Sequence, residues 1–335
     1  MPFRNLFAQR CWFFSLLIVV LASSSVLPAV EAQKTAAKVG GKQLVWVDTD
    51  IGDDIDDAFA LALVARSPEL KLLGVSTAFG DTEARARIVD RYFAEIGVVG
   101  VPVTAGVHTE TDNKMTQRDY VDPVRSNLAT PHAHRDGVAA MLEAIRKHPG
   151  QVTLIAIGPL FNVGAAIERD PETFHKLKRV VIMGGSVYRG YGGQDAKPIP
   201  EWNILQDPKG AQKLFTAGVP LYVMPLDSTQ IHLDAGARDA LFAKSGKLGE
   251  QLKALYQLWA ANNPGQSPTP TLFDPVAVTY SFRPNLCPAK PLHIDVDAKG
   301  MTIPGTGKTN AQVCLKSDEQ GFLDLLRNRL ESPQP

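Results

Sequence analysis

The sequence holds little cysteine, no excess of either charge, and no long apolar run beyond its first thirty residues. Three cysteines in 335 residues are too few for a disulfide scaffold, and they are not spaced as in a zinc ribbon. The 35 basic and 35 acidic side chains balance, which excludes the basic excess needed by a nucleic-acid or anionic-membrane surface. Internal repeats and low-complexity tracts are also lacking. With 44% hydrophobic and 21% charged residues, the composition is that of an ordinary globular protein and argues against disorder or a coiled coil.

The amino terminus has a pattern of its own. Arg4 and Arg10 bring positive charge, Cys11–Ala22 is apolar, and Val30-Glu31-Ala32 resembles a cleavage site before Gln33. This three-part pattern predicts a secretory signal peptide over residues 1–32. The apolar run is short of the ~20 residues of a membrane span. Residues 33–42 read as a flexible lead-in, and residues 43–331 as one domain. Export, to the periplasm or the medium, is therefore expected. Without Arg4, Arg10 and Glu31 the mature chain carries 33 basic and 34 acidic residues. Its two cysteines, Cys287 and Cys314, could pair in an oxidising space or remain separate buried thiols.

From residue 43 onward apolar strands alternate with amphipathic helices. Strands are expected at Leu44–Val47, Leu72–Thr77, Val101–Ala105, Val152–Ile157, Val180–Met183 and Leu221–Met224. Helices are expected at Asp56–Ala65, Thr82–Ile96, Gly137–Lys147, Asn162–Arg169 and Pro208–Ala217. In the second of these, Ile88, Val89, Tyr92, Phe93 and Ile96 share one face. The alternation predicts a single α/β domain, a mostly parallel open sheet with helices on both faces. Pro264–Pro270 reads as a surface lid or connection.

Five strand ends run into polar or glycine-rich turns: Asp48–Asp57, Phe79–Asp81, Gly158–Asn162, Gly184–Ser186 and Asp227–Thr229. Ligands of open parallel sheets bind outside the carboxyl ends of the strands, so these turns point to one site. The first holds six aspartates in ten residues: Asp48, Asp50, Asp53, Asp54, Asp56 and Asp57. Carboxylates this close raise one another's pKa unless a cation neutralises them. Helix capping accounts for Asp56 and Asp57 alone. A hard divalent cation, calcium or magnesium, accounts for the whole cluster.

The run VDTDIGDDIDDAFAL resembles the amino-terminal signature of the inosine–uridine-preferring nucleoside hydrolases. Val180–Gly185, Glu201-Trp202-Asn203 with Asp207-Pro208, and Asp274-Pro275 resemble later family motifs in the family's order. The resemblance covers residues 44–330. It implies a nucleoside-hydrolase-like fold, a Ca2+ cofactor, cleavage of the ribonucleoside N-glycosidic bond, a part in nucleoside salvage, and a homo-oligomer. It implies Asp50 as metal ligand and general base, Asp57, the Ile157 carbonyl and Asp274 as further ligands, and Asp56 on a ribose hydroxyl. Met183, Glu201 and Asn203 match sugar-contacting positions, and Asp81 falls where the family often has asparagine. Asn162, at the end of the Gly158 turn, is a further candidate.

The chain departs from the family pattern in three places. Six residues separate Asp50 from Asp56, two more than usual, so Asp54 could take the place of Asp56. Phe273 stands where many members have an acidic histidine, and an aromatic ring there could stack on the base. Val187–Pro200 is long and glycine-rich, and Tyr188 and Tyr191 within it either reach the ligand or stand exposed. His132 and His134 fall where base-contacting histidines occur in the family, although a surface pair is the simpler reading. Two other functions fit parts of the sequence: a non-catalytic nucleoside-binding protein, and a haloacid-dehalogenase-type phosphatase using Asp48 and Asp50. The phosphatase lacks its usual threonine after the second aspartate and a late Asp-Asp pair.

Overall fold

Continuous apolar runs in the middle of the chain form strands buried on both faces. The computed structural model describes residues 41–121, 133–193, 195–264 and 267–332. The proposed leader, most of the lead-in and His132 lie outside them. The strands are β1 (Gln43–Thr49), β2 (Leu70–Thr77), β3 (Val103–Ala105), β4 (Arg135–Asp136), β5 (Val152–Ala156), β6 (Arg179–Met183), β7 (Leu221–Met224), β8 (Ala289–Val296), β9 (Thr302–Gly305) and β10 (Ala311–Cys314). They make one sheet in the order β4-β3-β2-β1-β5-β6-β7-β10-β8-β9. Every pairing from β4 to β10 is parallel, and only β8 and β9 add antiparallel partners at one edge.

Successive strand residues point to opposite faces, which divides the core in two. Val45, Val47, Ile155 and Val181 face one side, under helices Asp56–Arg66, Thr82–Glu95, Lys247–Asn262, Asp274–Phe282 and Glu319–Leu330. Trp46, Leu154, Ala156, Val180 and Ile182 face the other, under Gly137–Lys147, Phe161–Arg169 and Pro208–Thr216. All five residues expected on the apolar face of Thr82–Glu95 and its C-cap are buried. The expected elements are present with ends shifted by one or two residues. Not expected were β4, the carboxyl-terminal strands β8 to β10, and the helices Ala235–Lys244, Lys247–Asn262 and Glu319–Leu330. Beyond residue 284 the strands are short or half-exposed and lack a continuous apolar run.

Two local features shape the centre of the sheet. The Trp46 ring packs close against Gly74 of the neighbouring strand, where a β-carbon would stand 2.4 Å from the indole ring. The β1–β2 register slips between Val45 and Trp46 at this place, and the indole N–H donates to Ser76 at 3.0 Å. At the other end, Cys287 and Cys314 form a disulfide that ties the turn before β8 to the end of β10. Closing a loop of this length stabilises a fold by roughly 3 kcal/mol.

Gly74→Ala should lower stability by about 1–3 kcal/mol, the cost of overpacking a filled core. Denaturant unfolding checks this, and an unchanged midpoint would mean that the tryptophan moves aside freely.

Candidate active site

Two unusually apolar helices carry acids at their amino ends. Asp56–Arg66 is buried from Asp56 to Val64, and Asp274–Phe282 is buried throughout. They pack against each other, and the Asp274 backbone N–H donates to Asp56 Oδ2 at 3.0 Å. Helix amino termini favour negative charge, so both ends suit carboxylates. Asp274 occupies the first turn of its helix, and its side chain makes no capping bond there. Carboxylate oxygens of Asp56, Asp57 and Asp274 lie within 4.8 Å of one another, and all three residues are buried.

These acids form one wall of a cavity of about 600 Å³ at the carboxyl end of the sheet. Asp50, Asp53 and Asp54 line it from the turn after β1, Ile157 from the end of β5, and Met183 from the end of β6. Gly158 lets Asp50 approach: a β-carbon there would stand 2.9 Å from the Asp50 carboxylate. Glu201 and Asn203 add the next wall. The Glu201 carboxylate accepts from the backbone N–H groups of Gly185, Asn203 and Ile204, at 2.8, 3.0 and 3.3 Å. The Asn203 amide donates to the carbonyls of Met183 and Ile157, at 3.0 and 3.4 Å. Phe273 and Tyr191 meet edge to face at 5.9 Å over the same space.

Burial sets the electrostatics. It pushes Asp50 up to about 7, with Arg85 opposing and Asp53 adding to the rise. Glu201 is likewise pushed up to about 7 by burial, against its three N–H donors. Asp57 and Asp274 are raised well above the carboxylate range by burial and by neighbouring acids, Asp57 despite a bond from the Thr49 hydroxyl. Asp56 is raised by burial and by Asp54 and Asp50. A bound cation would remove this cost.

Other residues singled out in the sequence stand elsewhere. Asp81 caps Thr82–Glu95 through Ala84 N–H at 3.0 Å and pairs with Arg118 at 2.9 Å, outside the cavity lining. Asn162 is buried below the cavity floor, donating to Asp48 at 2.7 Å and to the Thr77 carbonyl at 2.9 Å. His134 is no surface histidine: its ring is 3% exposed and lies between Glu83 at 2.8 Å and Asp90 at 2.7 Å. Tyr188 is exposed and does not line the cavity. The turns ending β2 and β7 serve as scaffold, so three strand ends, not five, converge on the cavity. Asp227 holds the Val187 and Tyr188 N–H groups at 2.9 and 2.8 Å. Asp48 is fully buried on Ser76 and Asn162, so it cannot share a phosphatase site with Asp50.

Arg85 is the organising residue that sequence reasoning missed. It is 2% exposed, donates to the carbonyls of Phe79, Asp50 and Ile51, and pairs with Asp53 at 2.8 Å. The signal was its spacing, three and four residues before Ile88 and Val89, which puts a cation on the apolar stripe. Asn113 and Thr116 also bind the long turn, through the Asp53 carboxylate at 2.7 Å and its carbonyl at 2.6 Å. Asp53 of the longer turn is thus tied to Arg85, Asn113 and Thr116, and Asp54 lines the cavity as the most exposed of the six acids. Asp56 keeps its place beside Asp57 and Asp274.

The fold and the site define a class: a mostly parallel α/β protein with a carboxylate-walled pocket at the carboxyl ends of its central strands. The sequence model of the "Inosine-uridine preferring nucleoside hydrolase" family matches residues 45–324, so the chain belongs to that family of N-glycosyl hydrolases. It is 30% identical over 303 residues to "Non-specific ribonucleoside hydrolase RihC" of an Escherichia coli strain, covering 83% of this chain and 95% of the relative. It is 29% identical to "Probable uridine nucleosidase 2" of Arabidopsis thaliana, covering 74% of this chain and 80% of that protein. The solved structure "Plant nucleoside hydrolase - PpNRh1 enzyme" aligns with a TM-score of 0.71 at 25% identity, covering 87% of this chain and 99% of that one. A Gardnerella vaginalis purine-preferring ribonucleoside hydrolase shares the fold, with a TM-score of 0.72 at 23% identity over 86% of this chain and 98% of that one.

Two outcomes follow from the geometry. Arg85→Met should cost about 3–5 kcal/mol, because Asp53 and the carbonyls of the turn lose a buried partner; chemical denaturation measures it. The raised carboxyl groups also fix a pH dependence. Their folded pKa values exceed the unfolded carboxyl values, so the stability they contribute is complete at low pH and is lost as pH rises through the folded values, which for Asp50 is about 7. A divalent cation replaces those protons, so its stabilising shift in Tm should grow between pH 5 and pH 8. A shift that stays flat or shrinks would contradict a carboxylate cation site.

Proposed function

We propose that this protein is an exported, calcium-dependent ribonucleoside hydrolase in which Asp50 is the general base. The observation that carries the reading is the buried group of Asp50, Asp56, Asp57 and Asp274 facing Glu201 and Asn203 across one cavity. The names of the relatives, a ribonucleoside hydrolase and a uridine nucleosidase, agree with it.

The donor set fits a hard divalent cation. Three buried carboxylates offer oxygens within 4.8 Å of one another, and their raised pKa values are those of acids lacking a counter-charge. Asp57 and Asp274 would hold the ion with Asp50 and the Ile157 carbonyl, and Asp56 would serve as ligand or as partner to a ribose hydroxyl. When bound, the cation would orient the vicinal ribose hydroxyls and lower the pKa of the attacking water.

The chain's own groups do the rest. Asp50, which lines the cavity beside the proposed ion, takes the proton of that water as general base. Glu201 and Asn203 satisfy the sugar's polar groups once it leaves water. Breaking the N-glycosidic bond leaves oxocarbenium character on the ribosyl ring, which the surrounding carboxylates stabilise. Phe273 offers a face for the base to stack on but no proton, so activation of the leaving group must come from elsewhere. Export is supported by the leader-like residues 1–32 and by the Cys287–Cys314 disulfide, a bond at home in oxidising compartments.

Asp50→Ala should lower kcat for ribonucleoside hydrolysis by about 100-fold or more, given what one positioned acid–base group contributes. Chelation should abolish turnover, and added calcium should restore it. Release of reducing sugar and free base is the measurement, and near-full activity of the Asp50→Ala protein would refute the mechanism.

A further inference from the structure

The rim of the cavity beside Phe273 is fastened from behind. Ser267, Thr269, Thr271 and Phe273 line the cavity from one segment. Arg238 is 9% exposed, and its guanidinium carbon lies 4.4 Å from the centre of the Tyr256 ring. Both side chains donate to the Pro268 carbonyl, at 3.1 and 2.8 Å. Further along, Leu233 N–H donates to the Pro270 carbonyl at 2.9 Å and Leu272 N–H to the Ile231 carbonyl at 2.7 Å. These bonds make an antiparallel bridge that sets Thr271 opposite His232.

The Thr271 hydroxyl meets His232 Nδ1 at 3.1 Å. Ser267 Oγ, by contrast, accepts from the Thr269 N–H at 3.2 Å within the turn. Thr271 is half-buried and lines the cavity, whereas His232 is exposed and stands outside the lining. The pair therefore runs from the cavity towards solvent. An imidazolium donates from Nδ1 to the threonine oxygen and leaves the hydroxyl proton for an acceptor in the cavity. Histidine is also the side chain best suited to exchanging a proton with water near neutrality.

The reaction has a use for such a pair. Breaking the N-glycosidic bond leaves an electron pair on the base, and Phe273 has no proton to give. Thr271 stands two residues before Phe273 on the same segment. Lys114, another proton-bearing group of the lining, lies instead between Asn113 and Thr116, which bind Asp53 of the acidic turn.

We propose that Thr271 protonates the departing base, with His232 as the positioning residue that holds its hydroxyl and replaces its proton. The inference rests on the ribonucleoside hydrolase reading given above. The C1′–N bond breaks and its electron pair stays on the base, which takes the Thr271 hydroxyl proton. The Nδ1 proton of His232 passes to the Thr271 oxygen, and the neutral imidazole recovers a proton from solvent. At C1′ the hydroxyl of the attacking water adds, and Asp50 passes that water's proton to solvent, so that one water is consumed.

The test compares kcat and KM for a ribonucleoside and for p-nitrophenyl ribofuranoside, whose nitrophenolate leaves without being protonated, in the full protein with calcium. Thr271→Val should lower kcat on the ribonucleoside by about 100-fold, the contribution of one positioned acid, and change little on the nitrophenyl substrate. Thr271→Ser, which keeps the hydroxyl, should retain most of the turnover. The amide of His232→Gln can still donate to Thr271 but supplies no acid proton, so this variant should lose ribonucleoside turnover and keep the nitrophenyl activity. Equal losses on both substrates, or unchanged ribonucleoside turnover in Thr271→Val or His232→Gln, would overturn the relay and leave the hydrolase reading intact. So would a selective loss found in Lys114→Met or Tyr191→Phe instead, or a wild-type protein that cleaves the nitrophenyl substrate alone. A wild-type protein that cleaves neither substrate would overturn the hydrolase reading, and this inference with it.

Discussion

Buried negative charge at the meeting of two helix amino termini is the constraint on which the rest of the structure depends. Asp56 and Asp57 open one apolar helix, Asp274 opens another, and Asp50 faces them from the end of β1. Carboxylates out of water and within a few ångströms of each other are costly to ionise. The fold meets part of that cost with helix amino termini, with the Thr49 hydroxyl and with Arg85. The proposed cation would offset the remainder.

The scaffold explains why this charge can be held in place. Both helices are apolar nearly all round and lie inside the core, so their first turns cannot drift towards solvent. Arg85 fastens the turn between β1 and the first helix by gathering three backbone carbonyls and Asp53. Thr116 and Asn113 hold the outer part of the same turn. The near-zero net charge of the chain hides this concentration. It averages a strongly acidic pocket against a balanced remainder, and the cation among the described residues lining that pocket is Lys114.

Much of this could be read from residue order. The parallel sheet followed from apolar runs alternating with amphipathic helices, and the acidic turn followed from six aspartates directly after a strand. The carboxyl-terminal strands were not legible, because β8 and β9 are largely exposed and lack the continuous apolar run of a central parallel strand, and β10 is only four residues long. Asp81 and Asn162 lie beside the strand ends in sequence and are turned to scaffold duty in space. The pairing of His134 with Glu83 and Asp90 joins residues more than forty positions apart, and no local pattern announces it.

By itself the sequence determined the fold class, the central strands and helices, and the acidic residues after β1, since periodicity and local charge are properties of neighbouring residues. Only the tertiary structure decided which acids share a corner, that Asp274 acts as a wall of the cavity and not as a cap, and that Arg85 is buried beneath it. It also joined Cys287 to Cys314 and brought Tyr191 against Phe273. The physical reason is the same in each case. These groups are far apart along the chain, and the distance between them is set by how two helices and a glycine-rich segment pack against one end of the sheet.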